Sequence, residues 1–563
     1  MRGTVPETRA EALFETGGRS IARHLMEHGV SRGFCVPGES FLGLLDALGD
    51  TDGAFDLVVC RHEGGASYMA EAYGRQTSKP GLCLVTRGPG ACNAMIGVST
   101  AFQESTPMIL IIGHVSTGTA QRFGFQEIDP RAMFAGTSKW VGVVERASDI
   151  PHMIARAIRI SISGRPGPVV LAVPDDVLVE HVPVQFTPPI TRPVMCPAPD
   201  AISGLTEMLG RAKTPLVILG GNGWDARSCA DVEAFAGHFD LPVATTFRRN
   251  DLIDNRSRHY VGSFGPVPHP GLIEYAKTSD LVILLGGRLS EIETGRYAYL
   301  CAPEPHRELV HAAPLDDEFG EVLAPDLAIS TDVGPLAEAL AAISTQVDIV
   351  WSGARKTLRE TYEAYRQPVD FGERPNPGVA VGLLQNELPE GTIFTGGAGN
   401  TTHFLLRHIE YRQPGTLLAP LSGPMGYAVP AAISAAMGSP GTEACAYVGD
   451  GCFFMNPQEL VVAVKRQLPV TVVMFNNGIY GSIRMHQELT KTAIGVATTL
   501  DNPDFQDLAK SFGIPSARIT APTEIAKTYR DLRAKTPGPI FIELMTDPEV
   551  INTQKTIDQI REV

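Results

Sequence analysis

Two short runs in the last third of the chain carry residues able to hold a divalent cation and a phosphate. Gly449-Asp450-Gly451 follows the apolar run 446–448, and Asn476-Asn477 follows the apolar run 469–475. A carboxylate and a carboxamide are hard oxygen donors. They suit Mg²⁺, which takes few protein ligands and completes its octahedron with water and ligand phosphates. Gly449 and Gly451 carry no Cβ, so backbone N–H groups there can approach a phosphate closely. Each run taken alone is ordinary turn chemistry, and only their meeting in space would make a site.

The residues between them supply that meeting. The runs 446–448 and 469–475 read as buried strands. Asn456-Pro457-Gln458-Glu459 reads as a helix start, with Asn as N-cap, Pro at the first position and Glu at the third. Leu460, Val461, Val464 and Leu468 then fall on one face. A strand, helix, strand unit makes its two strands parallel neighbours, so both following loops open on the same sheet edge. With 26 residues between Asp450 and Asn477, the arrangement resembles the thiamin diphosphate motif, GDG followed by NN.

The whole chain frames this unit. Its 563 residues are enough for about three domains, and 44% hydrophobic content fills their cores. The 57 glycines and 43 prolines show no period, which fits many turns. A net charge of −15 without a Lys/Arg block argues against nucleic acid as partner. No apolar run approaches the eighteen or so residues of a membrane span, and MRGTVPETRAEALFE lacks the apolar core of a signal peptide. Nine cysteines show no metal spacing, and Cys60, Cys83 and Cys445 sit in apolar runs; reduced core thiols of a cytoplasmic protein are expected.

Two proline-rich linkers, 182–199 and 367–378, divide the sequence, the second preceded by a predicted helix over 352–365. Strands are predicted at 33–36, 56–60, 82–85, 108–112 and 169–173, then at 216–219 and 281–285, and finally at 393–394, 446–448, 469–475 and 540–544. Helical patterns alternate with them. The expected fold is α/β, with three doubly wound parallel-sheet domains at 11–181, 200–345 and 376–546.

Arg61-His62-Glu63 follows the 56–60 strand and leads into a small-residue helix, placing Glu63 at a strand's carboxyl edge. The stretch 61–115, including GGASYMAEAYGRQTSKPG and LVTRGPGACNAMIGVSTAFQESTPMILIIGHV, resembles the pyrimidine-binding domain of acetolactate synthase and its relatives. The likeness runs from about residue 11 to 545, in the order pyrimidine, central and diphosphate domain. On it the chain is identified as a member of the acetolactate synthase, pyruvate oxidase and benzoylformate decarboxylase superfamily, closest to acetolactate synthase large subunits.

The resemblance implies roles. Glu63 would hydrogen-bond the aminopyrimidine ring of thiamin diphosphate and favour its imino tautomer. Met425 would wedge the cofactor into a bent conformation, and the Gly423 carbonyl would accept from its 4′-amino group. Gly399, Asn400 and Thr401, with Gly449, Asp450, Gly451 and Cys452, would contact the diphosphate. Mg²⁺ would take Asp450, Asn477 and the backbone carbonyl of Ile479. The implied reaction removes CO₂ from a 2-oxo acid, after which the acyl unit is protonated, joined to a second carbonyl, or oxidised by flavin.

For the substrate, Phe125 and Gln126 match pocket residues of acetolactate synthases, and Arg288 matches an arginine that can receive the acceptor's carboxylate. Both favour acetolactate-type carboligation. Three positions dissent: His486 stands where those enzymes carry a pocket tryptophan, and Glu39 and Arg87 replace small residues. Buried, they would make a polar pocket, suited to a simple 2-oxo acid decarboxylase or a carboligase for a more polar substrate. His114 is left without a role. FAD, and with it a pyruvate oxidase activity, is left open by Gly220-Gly221 and Gly286-Gly287, loops that flavin-binding and flavin-free relatives share. Relatives build each site between two subunits, so a homodimer or homotetramer is expected. A silent homologue would not be expected to keep Glu63, Asp450 and Asn477 together.

Overall fold

The computed structural model describes residues 13–300, 307–314 and 318–562. The expected domain start at residue 11 and most of the N-terminal stretch lie outside the described residues. The chain divides into two compact units: Met1–Ala70, Lys79–Phe102 and Pro107–Arg192 form one, and Glu71–Ser78, Gln103–Thr106 and Pro193–Val563 the other.

The first unit holds a six-stranded sheet in the order Asp56–Val59, Arg32–Cys35, Gly81–Val85, Met108–His114, Pro168–Pro174, Trp140–Val143, all pairs parallel. Gly81–Val85, Met108–His114 and Pro168–Pro174 are buried at every residue. Helices cover both faces of such a sheet, so these strands are continuous apolar runs rather than alternating ones. A short antiparallel pair, Phe14–Thr16 with His181–Pro183, also belongs to this unit.

The second unit holds two more six-stranded parallel sheets. One runs Tyr260–Ser263, Val243–Thr245, Pro215–Leu219, Leu281–Leu285, Glu308–Ala313, Leu327–Ser330. Alternate residues of its central strands enter opposite cores: Val217, Leu219 and Ile283 one, Leu216, Ile218 and Val282 the other. Each fully buried Val, Leu or Ile contributes about 1.5–3 kcal/mol.

The other sheet runs Leu417–Leu418, Ile393–Gly396, Ala444–Gly449, Val470–Asn476, Ile540–Met545, Ser516–Ile519. The predicted neighbours pair in parallel, Ala444 opposite Val470 and Gly449 opposite Phe475. The helix between them departs from expectation. Asn456 makes no side-chain cap: its Oδ1 accepts from Gln458 Nε2 at 3.1 Å rather than from a helix N–H, and its Nδ2 donates to the Gly426 carbonyl at 3.0 Å. Pro457–Glu459 forms a 3₁₀ turn before the α-helix Leu460–Arg466. That tighter turn shifts the helical phase, so Leu460, Val462 and Ala463 are buried while Val461 and Val464 are half-buried. Among the described residues no helix is long and apolar enough to cross a membrane, and all eight cysteines are free thiols.

Candidate functional site

Three loops after neighbouring strands of the last sheet converge at one edge. Gly399, at φ +92°, caps the helix Asn400–His408, so Asn400 and Thr401 lie in its first turn, where backbone N–H groups lack helical partners. Gly449 caps the short helix Asp450–Phe453. Beyond Val470–Asn476, the turn 477–480 leads into the helix Gly481–Thr490. Together they line a cleft of ≈ 180 Å³ that includes Gly399, Asn400, Thr401, Met425, Gly449, Asp450, Gly451, Cys452, Asn477 and Ile479. Every cofactor and metal residue inferred for this part of the sequence lines that cleft except Gly423. Gly423 sits at φ +55° in the adjoining turn closed by its N–H to the Pro420 carbonyl at 3.0 Å.

Asp450 is the most constrained of them, only 2% exposed. One oxygen accepts the Gly451 N–H at 2.9 Å; the other accepts the Gly478 N–H at 2.9 Å and Asn502 Nδ2 at 2.7 Å. Burial raises its carboxyl above the ordinary range, and these donors oppose the shift. Asn477 Oδ1 accepts from the Ile479 N–H at 3.2 Å. Ile479 bridges Thr499 through hydrogen bonds made by its neighbours, Leu500 N–H to Gly478 O and Tyr480 N–H to Thr498 O, both 2.8 Å. In that pairing the Ile479 carbonyl is turned away from the partner segment.

The donor set fits the groups implied. No cluster of three His, Cys, Asp or Glu able to hold a metal occurs among the described residues. A carboxylate, a carboxamide and a backbone carbonyl instead match a hard ion that keeps ligand phosphates and water. Asn400 Oδ1 is buried without a hydrogen-bond partner in the cleft, while its Nδ2 donates to Ile551 O at 2.5 Å. A Cβ on Gly451 would sit 2.5 Å from Tyr480 Cε1, so close packing excludes any larger residue there. Cys452 is a poor thiolate, its thiol pushed up to about 11 by burial.

In the first unit, Glu63 opens the helix Glu63–Thr77 and is half-buried, its Oε2 accepting from Asn93 Nδ2 at 2.9 Å. Gly90 lies beside it: a Cβ there would meet Glu63 Oε1 at 3.4 Å. Phe125 is 72% exposed, and Gln126, at φ +62°, accepts the Gly88 N–H through its carbonyl at 2.9 Å.

The expectation of a buried polar trio needs correction within the single chain. None of the three is fully buried: Arg87 is half-buried, and Glu39 and His486 are exposed. Glu39 stands at the start of a 3₁₀ turn, where it reaches Arg87 at 3.1 Å, and Arg87 also pairs with Asp175 at 3.3 Å. His486 lies on the outer side of the helix Gly481–Thr490. Arg288 is likewise exposed and donates to Gln103 O at a long 3.4 Å. His114 ends a strand with its Nδ1 buried and unpartnered, and burial lowers its basicity.

Sequence reasoning missed Asn502, Asn93 and Tyr480. Nothing in the Asp501-Asn502-Pro503 turn signals a contact to a residue 52 positions away. The glycine pairs have a structural role of their own, which leaves the flavin question open. A Cβ on Gly221 would sit 1.8 Å from Gly286 O, so the two loops need glycine to pass each other. Three of the four carbonyls are engaged, Gly220 by Trp224 Nε1 (2.7 Å), Gly221 by Arg249 Nε (2.9 Å) and Gly287 by His311 Nε2 (3.0 Å).

Three parallel sheets and this cleft define an α/β enzyme of the diphosphate-binding kind, and the chain belongs to the thiamin pyrophosphate enzymes. Residues 15–133, 202–340 and 397–544 match, respectively, the N-terminal TPP binding domain, the central domain and the C-terminal TPP binding domain of that family. Over its length it is similar to acetolactate synthases. The large subunit of Parasynechococcus marenigrum is 30% identical over 547 residues, covering 94% of this chain and 87% of that one. That of Corynebacterium glutamicum is 29% identical over 550 residues (94% and 86%). The isozyme 2 large subunit of Escherichia coli is 28% identical over 536 residues (94% and 95%). The protein is a thiamin pyrophosphate-dependent, acetolactate synthase-like enzyme.

Proposed function

We propose that the protein decarboxylates a 2-oxo acid and joins the remaining acyl unit to a second carbonyl, using thiamin diphosphate and Mg²⁺. The observation that carries this reading is the buried Asp450 carboxylate in one cleft with Asn477, Gly399–Thr401 and Met425. When bound, thiamin diphosphate supplies a sink for the electron pair released as CO₂ leaves. Asp450, Asn477 and the Ile479 carbonyl would hold Mg²⁺, which would neutralise the charge of the diphosphate. Asn400 and Thr401, at a helix start, receive phosphate oxygens. Met425 and the Gly423 carbonyl would orient the cofactor, and Glu63 would hold a proton at its aminopyrimidine ring nitrogen.

The reading places Glu63 of one subunit and the Asp450 loop of another in one site, in a homodimer or homotetramer. It also places the enzyme in the cytoplasm, supported by the free thiols of the described cysteines. Phe125 and Gln126 would line the reaction pocket, and Arg288 would receive the carboxylate of an acceptor 2-oxo acid. One observation favours a more polar substrate than pyruvate with an aliphatic 2-oxo acid: Arg87 strapped between Glu39 and Asp175 on a polar surface pocket that Phe125 also lines.

The test is incubation of the protein, thiamin diphosphate and Mg²⁺ with a panel of 2-oxo acids, following CO₂ and identifying products by mass spectrometry. Carboligation products are expected. Release of aldehyde alone overturns the carboligase assignment, and no CO₂ from any acid overturns the reading.

A further inference from the structure

We propose that Arg248 is a positioning residue for the cofactor, its guanidinium fixing the spacing between the loop that carries Gly399–Thr401 and the turn that carries Gly423 and Met425. This rests on the thiamin diphosphate reading of the cleft.

Arg248 follows the strand Val243–Thr245 and is 3% exposed. Its Nη2 donates to the Gly397 carbonyl at 2.7 Å, and its Nη1 donates to the Pro420 carbonyl. Gly397 stands two residues before Gly399, and Pro420 opens the turn closed by Gly423. One planar cation thus grips both segments. The segments also meet directly, the Ala398 N–H donating to Pro424 O at 3.1 Å. Gly423 packs on the guanidinium itself: a Cβ there would lie 3.6 Å from Nη2.

The fork is aimed by an unusual backbone. Arg248 adopts φ +60°, a conformation that costs a side-chain-bearing residue on the order of 1 kcal/mol or more. The neighbours hold it there. Arg249 donates to Gly221 O (2.9 Å), Asn222 Oδ1 (3.0 Å) and Glu104 (3.0 Å). Glu104 in turn accepts from Arg75 at 3.1 Å and from the Leu421 N–H. Arg75 donates to Ala419 O at 2.8 Å, which fixes the approach to the same turn. Burial lowers the Arg248 guanidinium only to about 10, so it is a cation at neutral pH. Lysine in its place offers a compact charge without a planar fork and cannot span two carbonyls in the same way.

The experiment uses full-length Arg248→Met and Arg248→Lys. Amide hydrogen exchange is read on apoprotein segments 397–401 and 420–426, with the strands Ala444–Gly449 and Val470–Asn476 as internal controls. Thiamin diphosphate affinity is measured calorimetrically with Mg²⁺. Exchange of both segments is expected to accelerate by about tenfold or more while the control strands stay protected, and the dissociation constant to rise at least tenfold. In a third variant, Arg248→Ala, methylguanidinium is expected to restore part of both, and it is expected to change nothing in the wild type. Wild-type exchange in a folded variant overturns the proposal. Where Arg248→Met does not fold, Arg248→Lys with wild-type exchange and affinity overturns it equally. Wild-type protein that binds no thiamin diphosphate, with segment exchange still dependent on Arg248, overturns the cofactor reading and leaves the brace itself demonstrated.

Discussion

Asp450 Oδ2 accepts the Gly478 backbone N–H at 2.9 Å, so the carboxylate that ends one strand holds the turn that ends its neighbour. Asn477 is the residue before Gly478, and its carboxamide is therefore fixed relative to Asp450 before any ligand arrives. A prearranged pair of oxygens lowers the ordering cost of ion binding.

Glu63→Gln tests the proton-holding role directly. Glu63 is half-buried and its contact with Asn93 survives in the amide, so stability should change by no more than about 0.5 kcal/mol. Turnover should fall by on the order of 10²–10⁴-fold. Steady-state kinetics with 2-oxo acids, read beside thermal melts, checks both; undiminished turnover removes Glu63 from the mechanism.

Gly451→Ala should fail for a steric reason, since its Cβ would lie 2.5 Å from Tyr480 Cε1. The expected cost is about 1–3 kcal/mol, with weakened cofactor affinity. Removing the ring by Tyr480→Ala should recover most of it. A double-mutant cycle by denaturant unfolding measures the coupling, and additive losses would contradict the packing argument.

Much of the cofactor cleft was legible in the sequence because its determinants are local. Gly449-Asp450-Gly451 and Asn476-Asn477 sit at strand ends, and the intervening helix forces those strands to be parallel neighbours, as observed. The buried strands were legible as continuous apolar runs. Short edge strands such as Leu417–Leu418 and Ser516–Ile519 were not, because two to four residues are too few to show a period. The phase of the helix after Pro457 escaped for a different reason: the Asn456 oxygen accepts from the Gln458 side chain instead of a helix N–H, while its Nδ2 reaches Gly426, thirty positions earlier. The exposure of Glu39 and His486 escaped because burial of a lone polar residue carries no sequence signal. Arg248 was invisible for the same reason, its partners Gly397 and Pro420 lying about 150 and 170 residues away.

A pH experiment probes the buried knot that includes Arg75. Glu71 is fully buried and accepts from Tyr427 Oη at 2.6 Å and Thr106 Oγ1 at 2.8 Å. Burial, and then the nearby Glu104, raise its carboxyl, with Arg75 and the two hydroxyls opposing. A folded-state value above the unfolded one means the folded protein binds this proton more tightly. The group's contribution is therefore full at low pH and is lost as pH rises through the folded value. Glu71→Gln should flatten that part of the stability profile, and Tyr427→Phe should cost about 1–3 kcal/mol by leaving an acceptor unpaired. Denaturant midpoints across a pH series decide the matter; parallel profiles for Glu71→Gln and wild type would contradict it.

The most direct measurement is calorimetric titration of thiamin diphosphate into wild type and Asp450→Ala, each with and without Mg²⁺. Wild type is predicted to bind one equivalent per chain only when Mg²⁺ is present, and folded Asp450→Ala to lose at least the ~100-fold in affinity that disturbing a metal site's partners costs. Equal binding by the two proteins, or wild-type binding indifferent to Mg²⁺, would contradict the account.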